Sequence, residues 1–94
     1  MLDEFTLHQN YPNPFNPVTQ IRYNLPEKSN VTLLIYDILG REVATLLNGA
    51  LEPGYHSVMW NGQNKMGQAV RAGMYFYSMQ ADALRQTKKI VLLK

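Results

Sequence analysis

A chain of 94 residues, 46% apolar and only 17% charged, describes one globular domain with a single core, and excludes a disordered tail. A net charge of +2, with basic and acidic residues scattered along the chain, gives no stripe that could track phosphates, so nucleic acid is not expected as a partner. The absence of cysteine removes disulfide staples, thiolate metal sites and thiol nucleophiles together, and no stretch approaches the ~18 apolar residues of a membrane span.

The first four residues lack the basic start and apolar run of a signal peptide, so an export signal, if one is used, is expected upstream. Residues 5–9 read as a short strand. The segment "QNYPNPFNPVTQIRYNLP" (9–26) then holds four of the five prolines. Pro12, Pro14 and Pro17 fix their own φ and restrict Tyr11, Asn13 and Asn16, which predicts a stiff corner rather than a flexible linker. Tyr11 and Phe15 are expected to turn their rings onto the open end of the domain.

Period two dominates the rest. Ile21, Tyr23 and Leu25 alternate with Gln20, Arg22 and Asn24, and Pro26 closes that strand. Residues 31–38 ("VTLLIYDI") are apolar on both faces and read as a central strand. Residues 41–47 follow after "DILG", with Gly40 free to take a positive φ in a tight hairpin. Segments 55–60 ("YHSVMW"), 74–81 ("MYFYSMQA") and 85–93 ("RQTKKIVLL") complete about seven strands. Turn signals separate them at Asn48-Gly49, Pro53-Gly54, Asn61-Gly62, Gly67 and Gly73. The fold class is all-β, an antiparallel immunoglobulin-like sandwich. Its predicted core holds Ile21, Tyr23, Leu33, Ile35, Val58, Trp60 and Phe76.

Catalytic chemistry finds no footing. His8 and His56 lie in no nucleophile motif, and Tyr55 and Ser57 sit on the strand face opposite His56. "NGQNKMG" (61–67) has the glycine and amide spacing of a calcium loop but no carboxylate, so a turn-rich hairpin connection is expected, with no metal and no cofactor. Tyr36, Tyr55, Trp60, Tyr75, Phe76 and Tyr77 would suit a sugar platform. On strands with aliphatic neighbours, however, large aromatics are core more often than platform. Either Tyr75 or Tyr77 could be a tyrosine-corner residue, bonded to a loop. Asn30-Val31-Thr32 is a chance-level glycosylation match. The basic, acid-free end "KKIVLLK" reads either as an edge strand guarded by lysines or as a displayed recognition tag.

Taken together and in order, "QNYPNPFNPVTQIRYNLP", "LLIYDILGREVATL", "GYHSVMWNG", "AGMYFYSMQA" and "KKIVLLK" resemble the type A C-terminal sorting domain of the type IX (Por) secretion system. The pattern is also similar to the immunoglobulin-like domain of flagellar hook-capping proteins. The resemblance runs from about Phe5 to Lys94. It implies a single non-catalytic domain, residues 1–94, at the C-terminus of a larger exported protein of Bacteroidetes and related bacteria. The cargo would pass through the periplasm and reach the cell surface or the medium. The implied partners are an outer-membrane shuttle protein, a sortase-like cysteine peptidase and the N-terminal cargo domain. No membrane insertion is expected, and the domain is expected to be monomeric. The recognition positions that the resemblance implies are Gly73 and Tyr75 of a Gly-x-Tyr motif, and Lys88, Lys89, Ile90, Val91, Leu92 and Lys94 of the terminal strand. Asn61 and Asn64 stand where that family often has Asp, which further weakens a calcium role. The alternatives are a carbohydrate-binding module, through Tyr55 or Tyr77, or a purely structural accessory module.

Overall fold

In the computed structural model, which describes residues 4–93, the period-two runs form seven strands. They are β1 (Thr6–Leu7), β2 (Thr19–Leu25), β3 (Ser29–Tyr36), β4 (Glu42–Leu51), β5 (Gly54–Trp60), β6 (Gly73–Ala81) and β7 (Leu84–Leu92). They make two antiparallel sheets, ordered β1-β2-β5 and β4-β3-β6-β7, packed as an immunoglobulin-like sandwich. The inner faces supply one core, including Ile21, Tyr23, Leu25, Leu33, Ile35, Trp60, Tyr77, Met79 and Ile90.

Local chemistry accounts for the turns. The Asp37 carboxylate accepts from the N–H groups of Leu39 and Arg41 and pairs with Arg41 Nε at 2.8 Å, while Gly40 takes a φ of 81°. These bonds, led by the one from the Arg41 backbone, hold the Asp37 carboxyl below the usual carboxylate range. The β6–β7 hairpin turns at Asp82, at a φ of 51°. Its side chain accepts from the Asn30 N–H at 3.0 Å, tying that turn to β3.

Five expectations need correction. Phe76 is half-buried on the outer face of its sheet, and β6 sends Tyr75, Tyr77, Met79 and Ala81 inward instead. Residues 74–77 are apolar or aromatic on both faces, and only Ser78 and Gln80 further on mark the outward one, so the first half of the strand does not choose a face. The choice is made by register, because inward-facing Leu33 and Ile35 pair with Met79 and Tyr77. Strand β4 runs through Asn48-Gly49 to Leu51, since those two residues pair with Thr32 and Val31; the chain turns at Glu52-Pro53 instead. Ile38 lies in the β3–β4 turn and is 68% exposed. Of the two rings in the proline-rich segment, Phe15 is buried in the core and Tyr11 is exposed. Val58 lies at the edge of the core, half-buried against it.

Trp60 stands at one end of the core between Phe15, with ring centroids 5.4 Å apart, and Tyr75, at 5.5 Å edge to face. Its Nε1–H donates to the Gln63 carbonyl at 3.0 Å. Trp60→Ala is expected to cost about 3–5 kcal/mol in urea denaturation. Phe76→Ala, on the outer face, should cost well under half as much; equal costs would mean that the sheet faces are assigned wrongly.

Candidate functional site

The Gly-x-Tyr motif and the terminal strand, distant in sequence, are neighbours in one ladder. Gly73 opens β6 at a φ of 146°, a conformation that side-chain-bearing residues rarely adopt. It pairs with Leu92, and Tyr75 pairs with Ile90. The Tyr75 hydroxyl donates to the Arg71 carbonyl at 2.7 Å, so this residue is the tyrosine corner. Its ring packs against Trp60 in the core, and burial pushes its hydroxyl above the ordinary phenol range.

Alternation divides β7. Ile90 and Leu92 are buried in the core, with Lys88 half-buried on the same face, whereas Lys89 and Leu93 are exposed and Val91 is half-buried on the outer face. Lys94 lies outside the described residues. Of the expected recognition positions, then, Tyr75, Ile90 and Leu92 are core side chains. Gly73, Lys89 and part of Val91 are what the folded domain presents.

Strand β7 is an edge strand, yet its outer edge is already occupied near the C-terminal end. The N–H of Phe15 donates to the Val91 carbonyl at 2.9 Å, and the Leu93 N–H donates to the Phe15 carbonyl at 2.8 Å, in a parallel bridge to Leu92. The Asn13 side chain accepts from the Val91 N–H at 3.0 Å, and Gln9 Nε2 donates to the Lys89 carbonyl at 2.8 Å. In return Gln86 serves the open edge of β1, accepting from the Leu7 N–H at 2.9 Å and donating to the Phe5 carbonyl at 3.2 Å. Side-chain amides thus clasp the two sheets together along this edge. The proline-rich segment, whose bonds before Pro12, Pro14 and Pro17 are cis, carries Asn13 and Phe15 into place.

A buried polar network anchors that segment. The Tyr77 hydroxyl donates to the His8 carbonyl at 2.7 Å and accepts from the Asn10 N–H at 2.8 Å. Asn10 Nδ2 donates to Thr19 Oγ1 and to the Pro12 carbonyl, and Thr19 Oγ1 also donates to that carbonyl. Sequence reasoning passed over Gln9, Asn10, Asn13, Thr19 and Gln86. One signal was available: a glutamine on the inward face of β7, two residues before Lys88, needs a buried partner.

The remaining expected sites do not assemble. His56 stacks on Tyr23, with centroids 5.3 Å apart, and its Nε2 meets the Glu52 carbonyl at 2.7 Å. The Asn64 side-chain carbonyl in the 61–67 loop accepts from the N–H groups of Met66 and Gln68, so it organises a turn. This loop is part of a crossing between the two sheets, with a small hairpin at the Gln63–Ala69 bridge, and does not join neighbouring strands. Among the described residues no three His, Asp or Glu cluster as metal ligands, and no helix is long and apolar enough to cross a membrane. Trp60, Tyr75 and Tyr77 are buried, which removes them from any sugar platform and leaves Tyr55 exposed on the outer face of the three-stranded sheet.

Residues 16–84 match the FlgD Ig-like domain family. No curated protein matches the chain at a significant level. Among solved structures, FlgD from P. aeruginosa is 28% identical, with a TM-score of 0.62, over 79% of this chain and 57% of its own. Dimeric latent PorU from Porphyromonas gingivalis is 20% identical, with a TM-score of 0.75, over 98% of this chain. PorZ, an essential bacterial surface component of the type IX secretion system of the same organism, is 20% identical, with a TM-score of 0.63, over 92%. The chain spans 10% of the PorU chain and 11% of the PorZ chain, and at this identity the likeness is one of fold.

The Tyr77 hydroxyl has a pKa pushed up to about 12, chiefly by burial, so the folded state favours the neutral phenol. The sign follows. Tyr77 contributes its full stability below the ordinary value of 10.0 and loses it as pH rises through about 12. Tyr77→Phe should cost about 1–3 kcal/mol at neutral pH, because it strands the His8 carbonyl and the Asn10 N–H. In urea denaturation, its deficit relative to the parent should narrow as pH rises from 10.0 toward about 12; a constant deficit would refute the linkage.

Proposed function

Because the chain belongs to the FlgD Ig-like domain family, we propose that it serves as a non-catalytic C-terminal sorting domain of the type IX secretion system. In this reading residues 1–94 are one domain that follows an exported cargo and directs it across the outer membrane, through the periplasm to the cell surface or beyond. A shuttle protein on the outer membrane recognises it, and a sortase-like peptidase processes the cargo. One observation carries the reading. The family match spans residues 16–84, and the likeness of fold to PorU extends over 98% of the chain. The likeness to a surface component of the type IX system supports it further.

The folded domain divides the labour among the expected recognition positions. Ile90, Leu92 and Tyr75 hold the terminal strand in register, and Gly73, Lys89 and Val91, with Leu93 beside them, are what a receptor meets. Strand addition is not the docking mode at the end of β7, because Phe15, Asn13 and Gln9 already hold that edge.

Fusion of the domain to a foreign periplasmic protein in a type IX-competent host should bring that protein to the cell surface, read by protease accessibility. Lys89→Ala should lower export while leaving the denaturation midpoint nearly unchanged, since an exposed lysine contributes little to stability. Removal of residues from Ile90 onward would delete two core side chains, so its effect would report unfolding as well as recognition. Retention of the unaltered fusion in the periplasm would overturn the sorting function in favour of a structural module.

A further inference from the structure

The outer face of the four-stranded sheet is apolar at one end. Tyr36 pairs with Phe76, Phe76 with Lys89, and Met74 with Val91, so these side chains form adjoining rows on the surface. Leu34 lies in the next row. Tyr36, Phe76, Leu34 and Val91 are half-buried, while Met74 is 43% and Leu93 48% exposed. Along the same face the composition turns polar, through Ser78, Thr87 and Gln80. Met74 also lines a groove of about 450 Å³ whose walls include Ile38, Leu39, Arg71 and Tyr75. Leu39 is 72% exposed there.

Charge at the rim is one-sided. Among the described residues the salt bridges are Arg41–Asp37 and Lys65–Glu42, so the acids beside this face are already neutralised by their own cations. Arg71 and Lys89 make no salt bridge among the described residues. The outer face of the other sheet, by contrast, carries Gln20, Arg22, Asn24 and Ser57 around Tyr55 and Met59.

We propose that this apolar end of the four-stranded sheet, with the groove beside Met74, is the docking surface for a partner protein that presents apolar side chains ringed by carboxylates. The inference rests on the sorting reading and extends the recognition site from the terminal strand onto β3, β6 and the β3–β4 turn. Uncovered apolar rows supply the area, and the unpaired cations select an acidic rim. A second copy of this chain fits poorly, because a two-fold contact would set Lys89 and Arg71 against cations of the same face.

The test is binding of the purified domain to the outer-membrane shuttle protein of a type IX-competent bacterium, held in detergent micelles, with thermal melts run in parallel. Phe76→Ser and Met74→Ser should each weaken binding about tenfold, as loss of an apolar anchor does. Arg71→Glu and Lys89→Glu should weaken it by about threefold or more and reduce its salt dependence. Met59→Ser, on the opposite outer face, should leave it unchanged. Should Phe76→Ser fail to fold, Arg71→Glu on its exposed loop decides the matter. Binding by the unaltered domain that survives these substitutions would overturn the docking face and leave the sorting reading standing. No binding by the unaltered domain would overturn both. A dimer in sedimentation that Phe76→Ser dissolves would assign the face to a second copy and overturn the proposal.

Discussion

Phe15 donates its backbone N–H to Val91 and accepts from Leu93, while its ring enters the core against Trp60. The rest of this side of the molecule depends on that position. Strand β7 is the last of its sheet, and without a neighbour its edge would present unpaired donors and acceptors beside a core that needs Ile90 and Leu92. A further strand would solve the problem, but the described residues place none beside β7. A proline-rich segment, unable to join a ladder as a strand, instead lends one residue's backbone and two amide side chains. Gln86 returns the service to β1, so two edges are closed with few residues.

The aromatic cluster at that end shows how a glycine, a tyrosine and the terminal strand act together in the fold. Gly73 sets the backbone that delivers Tyr75 inward. Tyr75 closes its hydroxyl on Arg71 and its ring on Trp60, and the ladder carries Ile90 and Leu92 into the same core. In the folded state these residues support a surface made by their odd-numbered neighbours on β7.

Most of the architecture was legible as alternation and punctuation. The fold class and the approximate strands follow from period two, and the interior positions of β2 and β3 follow from it as well. At the start of β6 both faces are apolar or aromatic and alternation is silent, and Phe76 and the tyrosines exchanged places there although Ser78 and Gln80 mark the outward face. Asn48-Gly49 reads as a turn by composition but lies within β4, because cross-strand pairing with β3 outweighs local preference. The clasp was hidden for a different reason. Amides in a loop look like solvated polarity until the distant edge they satisfy is known, and no local pattern announces a contact between Gln9 and Lys89. Of the candidate site, the terminal strand and the Gly-x-Tyr motif were visible as text. The division of that strand into a buried and a presented face needed the register.

The parallel sense of the Phe15–Leu92 bridge has a mechanical consequence. In a parallel pair, a pull on the chain before Phe15 and a pull on the chain after Leu93 act at opposite ends of the contact. Tension drawn between them would load the Phe15, Asn13 and Gln9 bonds side by side, in shear, instead of opening them one after another like a zip. A clasp loaded in this way resists stretching along the chain far better than its few bonds suggest. A partner pressing sideways on the proline-rich corner would meet much less resistance. The fold is thus built to stay closed when dragged by its ends and to open when pried at its corner.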